Sequence, residues 1–312
     1  MNKAMDNNNF KDIRRAIVRT IAFFDIFDFP LTWFEVWKYL PIKTDLSVVQ
    51  AVLLDNGLDV VSNKNGFFFL SGREEIVATR MKRYNYANIK YKKTLRIIRI
   101  FKYIPWIKMV CIGNILGANN LKQESDIDFF VITERNRIWL TRFFCVVVAE
   151  LLRVRPKQND FKDKICLSFF SDVEKMNFKG LMIGEDEYLA HWLADLLPVY
   201  NKSRTYEEFI DHNNWMRQKL PNWQPTAVSP RISIEPSEVF YRDVVDMLIG
   251  GLEKIAKNIQ LKLMPQNIKE VMNSDTKVVV NDQMLKFHIN DRRQEYNDLF
   301  TEKIKTLYDK IP

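Results

Sequence analysis

VCIGNILGANNLKQESDIDFFVIT, residues 110–133, is two apolar runs joined by a polar loop that opens at Gly113 and Asn114. The second run begins with Asp126 and Asp128, one residue apart. On a strand, residues i and i+2 point to the same side, so both carboxylates project together, within reach of a shared cation. Magnesium is a hard, oxygen-seeking ion, commonly held by one or two carboxylates plus substrate phosphates. Backbone N–H groups in the Gly113-Asn114 loop can cradle a triphosphate, and Lys122 lies further along it to make contact. Ser125 stands immediately before the acidic pair. A phosphate-holding loop beside paired acids that hold Mg²⁺ is what in-line transfer onto or from a nucleotide requires.

Outward from this segment the texture is strand, loop, strand, helix, strand. Trp106 to Ile112 reads as an apolar strand, Arg137 to Arg153 as an amphipathic-to-buried helix, and Lys164 to Phe170 (KICLSFF) as another buried strand. The fold class expected is α/β (mixed α+β), with a core over residues 104–172.

This core resembles the DNA polymerase-β-like nucleotidyltransferase superfamily, whose signature is a Gly-Ser loop, a short spacer and Ser-Asp-x-Asp on a strand. The matching residues are Gly113-Asn114 and Ser125-Asp126-Ile127-Asp128. The resemblance implies two-metal transfer of a nucleoside monophosphate from an NTP, ATP in the first instance, to a hydroxyl or phosphate. Asp126 and Asp128 would then ligate Mg²⁺, and Gly113 with Asn114 would hold the β- and γ-phosphates. Two departures stand out. Asn114 replaces the loop serine, and KICLSFF, counterpart of the strand that bears the third carboxylate, has no acid. By alternation Cys166, Ser168 and Phe170 share one face. If the run continues, Asp172 joins the Ser168 face as candidate third ligand or base, with Asp163 as runner-up. If neither reaches the metals, the site would bind nucleotide without efficient transfer, and the chain would serve as a nucleic-acid-binding or regulatory module.

Residues 10–75 form the first expected unit. Ile13, Ile17 and Ile21 fall at helical spacing. Thr32 with Glu35 makes a capping box for a second helix, Asp45 to Asn56 reads as a third, and Asn65-Gly66 joins two short strands. Three helices and a hairpin resemble a winged helix-turn-helix. In such domains the third helix reads the major groove and should be basic, yet DLSVVQAVLLDN carries neither Lys nor Arg. A packing or protein-contact role is therefore favoured over sequence-specific DNA reading.

The formal charge is +8, from 47 Lys+Arg against 39 Asp+Glu. Between Ile76 and Met109 lie ten basic residues and no acid, interleaved with aromatics. This reads as a basic connecting helix, residues 76–103, with the basic stretch to 108 a candidate surface for RNA or DNA. Beyond 172 the pattern is mainly helical, suggesting a C-terminal domain over 173–312 with long helices at Glu185–Leu197 and Ser237–Lys262. His191 reads as a packed core residue. KFHINDRRQEY, around His288 and Asp291, reads as a helix cap with Asp291 and Gln294 in capping-box positions. Arg135, Arg137 and Arg142 read either as phosphate contacts or as a solvated helix end. Cys111, Cys145 and Cys166 lack CxxC or Cys/His spacing, which argues against a disulfide framework or a zinc site. No apolar stretch reaches the ~20 residues of a bilayer span. The N-terminus lacks a signal-peptide layout, so a cytoplasmic location without a membrane partner is expected.

Overall fold

Alternation of apolar residues sets the central sheet. Ile127, Phe129 and Val131 point to one face of their strand, while Phe130 and Ile132 point to the other, and all five are buried. Such a strand needs cover on both sides. The computed structural model describes residues 7–55, 58–113, 119–157, 160–225, 228–236 and 241–308. The chain runs α1 (Asn7–Asp25), β1 (Leu31–Thr32), α2 (Trp33–Lys38), α3 (Leu46–Leu54), β2 (Val61–Lys64), β3 (Phe67–Leu70) and α4 (Glu75–Phe101). Next come β4 (Ile107–Ile112), β5 (Ile127–Thr133), α5 (Ile138–Leu151), β6 (Ile165–Asp172), α6 (Glu187–Asp195), β7 (Leu197–Asn201), α7 (Thr205–His212) and α8 (Met216–Lys219). The remainder is α9 (Arg242–Ile249), α10 (Glu253–Leu263), α11 (Gln266–Val271), β8 (Val278–Val280), β9 (Met284–Phe287) and α12 (Arg293–Tyr308).

The protein is a mixed α/β structure with two sheets. A small one has the order β1-β3-β2, and a six-stranded one the order β7-β4-β5-β6-β9-β8. Within the large sheet β5 and β6 are parallel, connected through α5, and the other neighbouring pairs are antiparallel. Pro198 sits on β7, at one edge, where its missing N–H costs no ladder bond. One face of the sheet packs on residues of α1, α6, α7 and α12, and the other on α4, α5 and α10.

The early elements follow the expected chemistry. Thr32 caps α2 in a complete capping box with Glu35, worth about 1 kcal/mol. Asn65 and Gly66 take φ of +56° and +80°, the positive values that a tight two-residue hairpin loop demands. Glu35 also receives both guanidinium nitrogens of Arg80 at 2.8 Å, which ties α4 to α2.

Three expectations are corrected. First, the sheet is not confined to 104–172, because β7, β8 and β9 all come from the segment read as a helical domain. These runs of three to five residues are too short for periodicity to distinguish from helix. Residues 10–75 do not stand apart either: they share one continuous core with α6 and α12. Phe23 lies 4.3 Å from the His191 ring and 5.2 Å from that of Phe300, so His191 is the packed histidine expected. Second, the helix read over Ser237–Lys262 is broken. Ser237 lies outside the described residues, and α9 and α10 are separated by a 3₁₀ turn at Gly250–Leu252. Two adjacent glycines favour that break. A Cβ on Gly250 would also come within 2.9 Å of the Arg137 guanidinium. Third, part of the basic stretch is compensated in space though not in sequence. Arg80 pairs with Glu35, Arg83 with Asp28, and Lys90 and Lys93 with Asp163. The exposed positive residues of α4 are Lys82, Lys92, Arg96, Arg99 and Lys93, the last held by Asp163.

Candidate functional site

Ile127 anchors the acidic segment by burying its side chain completely. Its two neighbours are thereby turned to the opposite face, where Asp126 and Asp128 meet Cys166. Cys166 is the register partner of Asp128 in the parallel β5–β6 ladder. Ligand atoms from Asp126, Asp128 and Cys166 all lie within 4.8 Å of one another. They form one wall of a cavity of about 690 Å³. The rest of the lining includes Tyr188 and Trp192 on α6, Lys286 on β9, His288 and Asp291 between β9 and α12, and Arg293 at the start of α12.

Charge in the cavity is segregated. Burial, reinforced by the like charge of Asp126, pushes the Asp128 carboxyl up to about 7. Asp126 is raised by burial, partly offset by Lys90. Burial and the adjacent acids push the Cys166 thiol well above its ordinary range. Lys90, almost entirely buried on α4, donates to the Ser125 carbonyl at 2.6 Å and to Asp163 at 2.9 Å, which clamps the turn leading into the acidic pair. Elsewhere in the lining Lys286 and Arg293 both contact Asp291, and Arg293 also reaches Asp186 at 2.8 Å. Arg293 and Lys286 hold Asp291 down at about 2 despite its burial. At Lys286 desolvation outweighs Asp291, and the ammonium falls to about 8.

A polar chain connects the two sides. Ser168 Oγ lies 3.2 Å from Cys166 Sγ and 3.1 Å from His288 Nε2. Burial and the Lys286 charge lower the His288 imidazole to about 3, so the ring is neutral at ordinary pH. Above the site, Trp192 Nε1 donates to the Gly113 carbonyl at 2.8 Å. A Cβ on Gly113 would stand 3.0 Å from both Trp192 and Leu196, so the close indole approach requires glycine.

Of the residues read from the sequence, Asp126 and Asp128 meet as expected and Gly113 reaches the cavity rim. Gly113 cannot offer the expected phosphate contact through its own N–H, because that group donates to the Asp128 carbonyl at 3.0 Å. Asn114 lies outside the described residues. Ser125 and Lys122 do not line the cavity; the Ser125 hydroxyl closes a turn on the Lys122 carbonyl at 3.1 Å. Asp163 serves Lys90 and Lys93 rather than the acidic pair.

Asp172 is the main correction. It pairs with Thr133 at the far end of the ladder, six residues and roughly 20 Å of strand from Cys166. A register shift places Phe130 opposite Phe169, although Asp128 is opposite Cys166. That bulge reverses the alternation, and Asp172 falls on the face away from the acids. There its carboxylate caps a turn by accepting from the N–H groups of Glu174 and Lys175. None of the three arginines lines the cavity: Arg135 is exposed and pairs with Glu174, Arg137 chelates Asp246, and Arg142 bonds Gln260. The KFHINDRRQEY cluster is a cavity wall as well as a helix start. Asp291 accepts from Arg293 N–H, but Gln294 contacts Asp298 and no capping box forms. What the sequence reading missed is Cys166 as the residue facing the pair, and Ser168, His288 and Lys286 around it. The alternation in KICLSFF did place Cys166 and Ser168 on one face; the register against Asp128 had no signal.

Comparison with described protein families, with curated proteins and with solved structures returns no match to this chain.

Proposed function

We propose that the chain is a divalent-cation-dependent nucleotidyltransferase of the DNA polymerase-β-like kind, moving a nucleoside monophosphate from an NTP, ATP in the first instance, to an acceptor hydroxyl or phosphate. The observation that carries this reading is the placement of Asp126 and Asp128 together at one strand end, half-buried, on the wall of a 690 Å³ cavity. That volume is within the range of small-molecule and nucleotide sites. Two adjacent carboxylates that repel one another suit a cation, and Mg²⁺ is satisfied by two such ligands when water and phosphate oxygens complete its shell. The cation, when bound, supplies neutralisation of phosphate charge. Asp126 and Asp128 fix where that charge sits. The stacked rings of Tyr188 and Tyr296, 5.3 Å apart, with Trp192 nearby, offer flat apolar surface to a base. The exposed basic residues of α4 are the proposed contact for a nucleic-acid acceptor, and the N-terminal unit acts as a packing partner.

A second reading is favoured by one observation: the residue facing the acidic pair on β6 is Cys166, not a carboxylate. Without a third acid the site would bind nucleotide and turn over poorly. Incubation with each labelled NTP, Mg²⁺ or Mn²⁺, and panels of RNA, protein and small-molecule acceptors separates the two. Transfer lost in Asp126→Ala/Asp128→Ala supports the transferase. Cation-dependent NTP binding without transfer supports the second reading, and transfer that survives the double change refutes the site. Affinity for RNA or DNA that does not fall with salt would refute the role given to α4.

A further inference from the structure

Sulfur rather than oxygen faces the acidic pair, and this bears on which ion the site takes. Cys166 Sγ shares its 4.8 Å neighbourhood with one oxygen each from Asp126 and Asp128, on the wall of the cavity. Cys111 and Cys145 are buried in the two apolar cores and, among the described residues, belong to no such group. We infer that Cys166 is the third protein ligand of a mixed oxygen–sulfur site whose preferred occupant is a borderline divalent cation of the zinc, cobalt and cadmium class, rather than Mg²⁺. The assignment rests on Asp126 and Asp128 being cation ligands, as proposed above.

Mg²⁺ demands oxygen ligands in near-octahedral order and gains nothing from a thiol. Zinc-class ions accept carboxylate and thiolate together in smaller shells. Ligands at about 2.0 to 2.3 Å from a common ion stand roughly 3.5 Å apart in tetrahedral geometry. Closure around an ion therefore needs side-chain movement of about 1 Å, which χ1 rotations supply. Binding exchanges the S–H bond for a sulfur–metal bond. The proton leaves to the buffer, with no change of oxidation state. The Ser168 hydroxyl at 3.2 Å and His288 behind it act as the supporting shell that orients the sulfur.

The test uses the reduced 312-residue chain titrated with Co²⁺ and Cd²⁺ while the thiolate-to-metal charge-transfer absorption is recorded. Mg²⁺ binding is followed by thermal shift. The wild type should develop the band to a limit of one thiolate per chain. Cys166→Ser should lose the band, with Cd²⁺ affinity falling on the order of 100-fold and Mg²⁺ affinity moving less than about threefold. If Cys166→Ser does not fold, Cys111→Ser/Cys145→Ser retains Cys166 as the sole thiol and should show the same band. Cd²⁺ or Co²⁺ bound without the band, or a folded Cys166→Ser that keeps its Cd²⁺ affinity, overturns the thiolate ligand and leaves the carboxylate site standing. A wild type that binds none of these ions overturns both.

Discussion

Asp128→Asn should make the metal-free protein more stable. The wild-type carboxyl is raised from 3.8 to about 7 by burial and by the charge of Asp126. At 1.36 kcal/mol per unit, that rise is about 4 kcal/mol of penalty on the ionised form. Solvent screening removes part of it, so about 2 kcal/mol is the working expectation, or roughly 3 °C in Tm for a chain of this length. The sign follows from linkage. A folded-state pKa above the unfolded one gives stability that is fully present below about pH 4 and lost as pH rises through 7. Asparagine keeps the shape without the charge, so its advantage should be absent near pH 4, grow between pH 4 and 7, and level off above. Thermal unfolding in chelator across that range measures it, and the same variant should lose the wild-type Tm increase on adding divalent cation. A Tm at pH 8 that drops on substitution would refute the reasoning, because it would make Asp128 a net stabilising partner instead of a strained charge awaiting a cation.

Gly113→Ala forces a methyl to within 3.0 Å of Trp192 and Leu196, and should cost about 1 to 3 kcal/mol in urea unfolding. Asp291, held at about 2 by Arg293 and Lys286, contributes about 2 kcal/mol that is present above pH 4 and lost as pH falls toward 2. The stability gap between wild type and Asp291→Asn should narrow over that interval. Thr32→Ala removes the α2 cap and should cost about 1 kcal/mol, seen as a lower urea midpoint with unchanged slope.

Local chemistry was legible in the sequence; register was not. Alternation and the Asp-x-Asp spacing located β5 and brought Asp126 and Asp128 together, and Thr32-Glu35 and Asn65-Gly66 marked a helix start and a hairpin. Asp172 failed because a single bulge between Cys166 and Phe169 reverses the parity of every residue after it, and nothing in KICLSFF signals the bulge. Lys286 and His288 could not be placed beside Asp128 because β9 reaches the sheet from more than a hundred residues away, and a run as short as MLKF gives no indication of its partner. The acids that pair with Arg80, Arg83, Lys90 and Lys93 lie 45 to 73 residues away in sequence. An uncompensated run of lysine and arginine along the chain says little about compensation in space.

The contact between α1 and α12 has a kinetic consequence. Phe23 rests against Phe300, and Lys303 reaches Asp25 across 278 residues. During synthesis, at roughly 5–20 residues per second, α1 leaves the ribosome well ahead of the partner that covers this face. Its apolar stripe must wait, exposed or provisionally covered, until nearly the whole sheet has been made. Contacts of such long range are slow to form, because the chain must be brought together before they return anything. Refolding should therefore end with the docking of α12, and chains stalled short of it should be the species that chaperones bind.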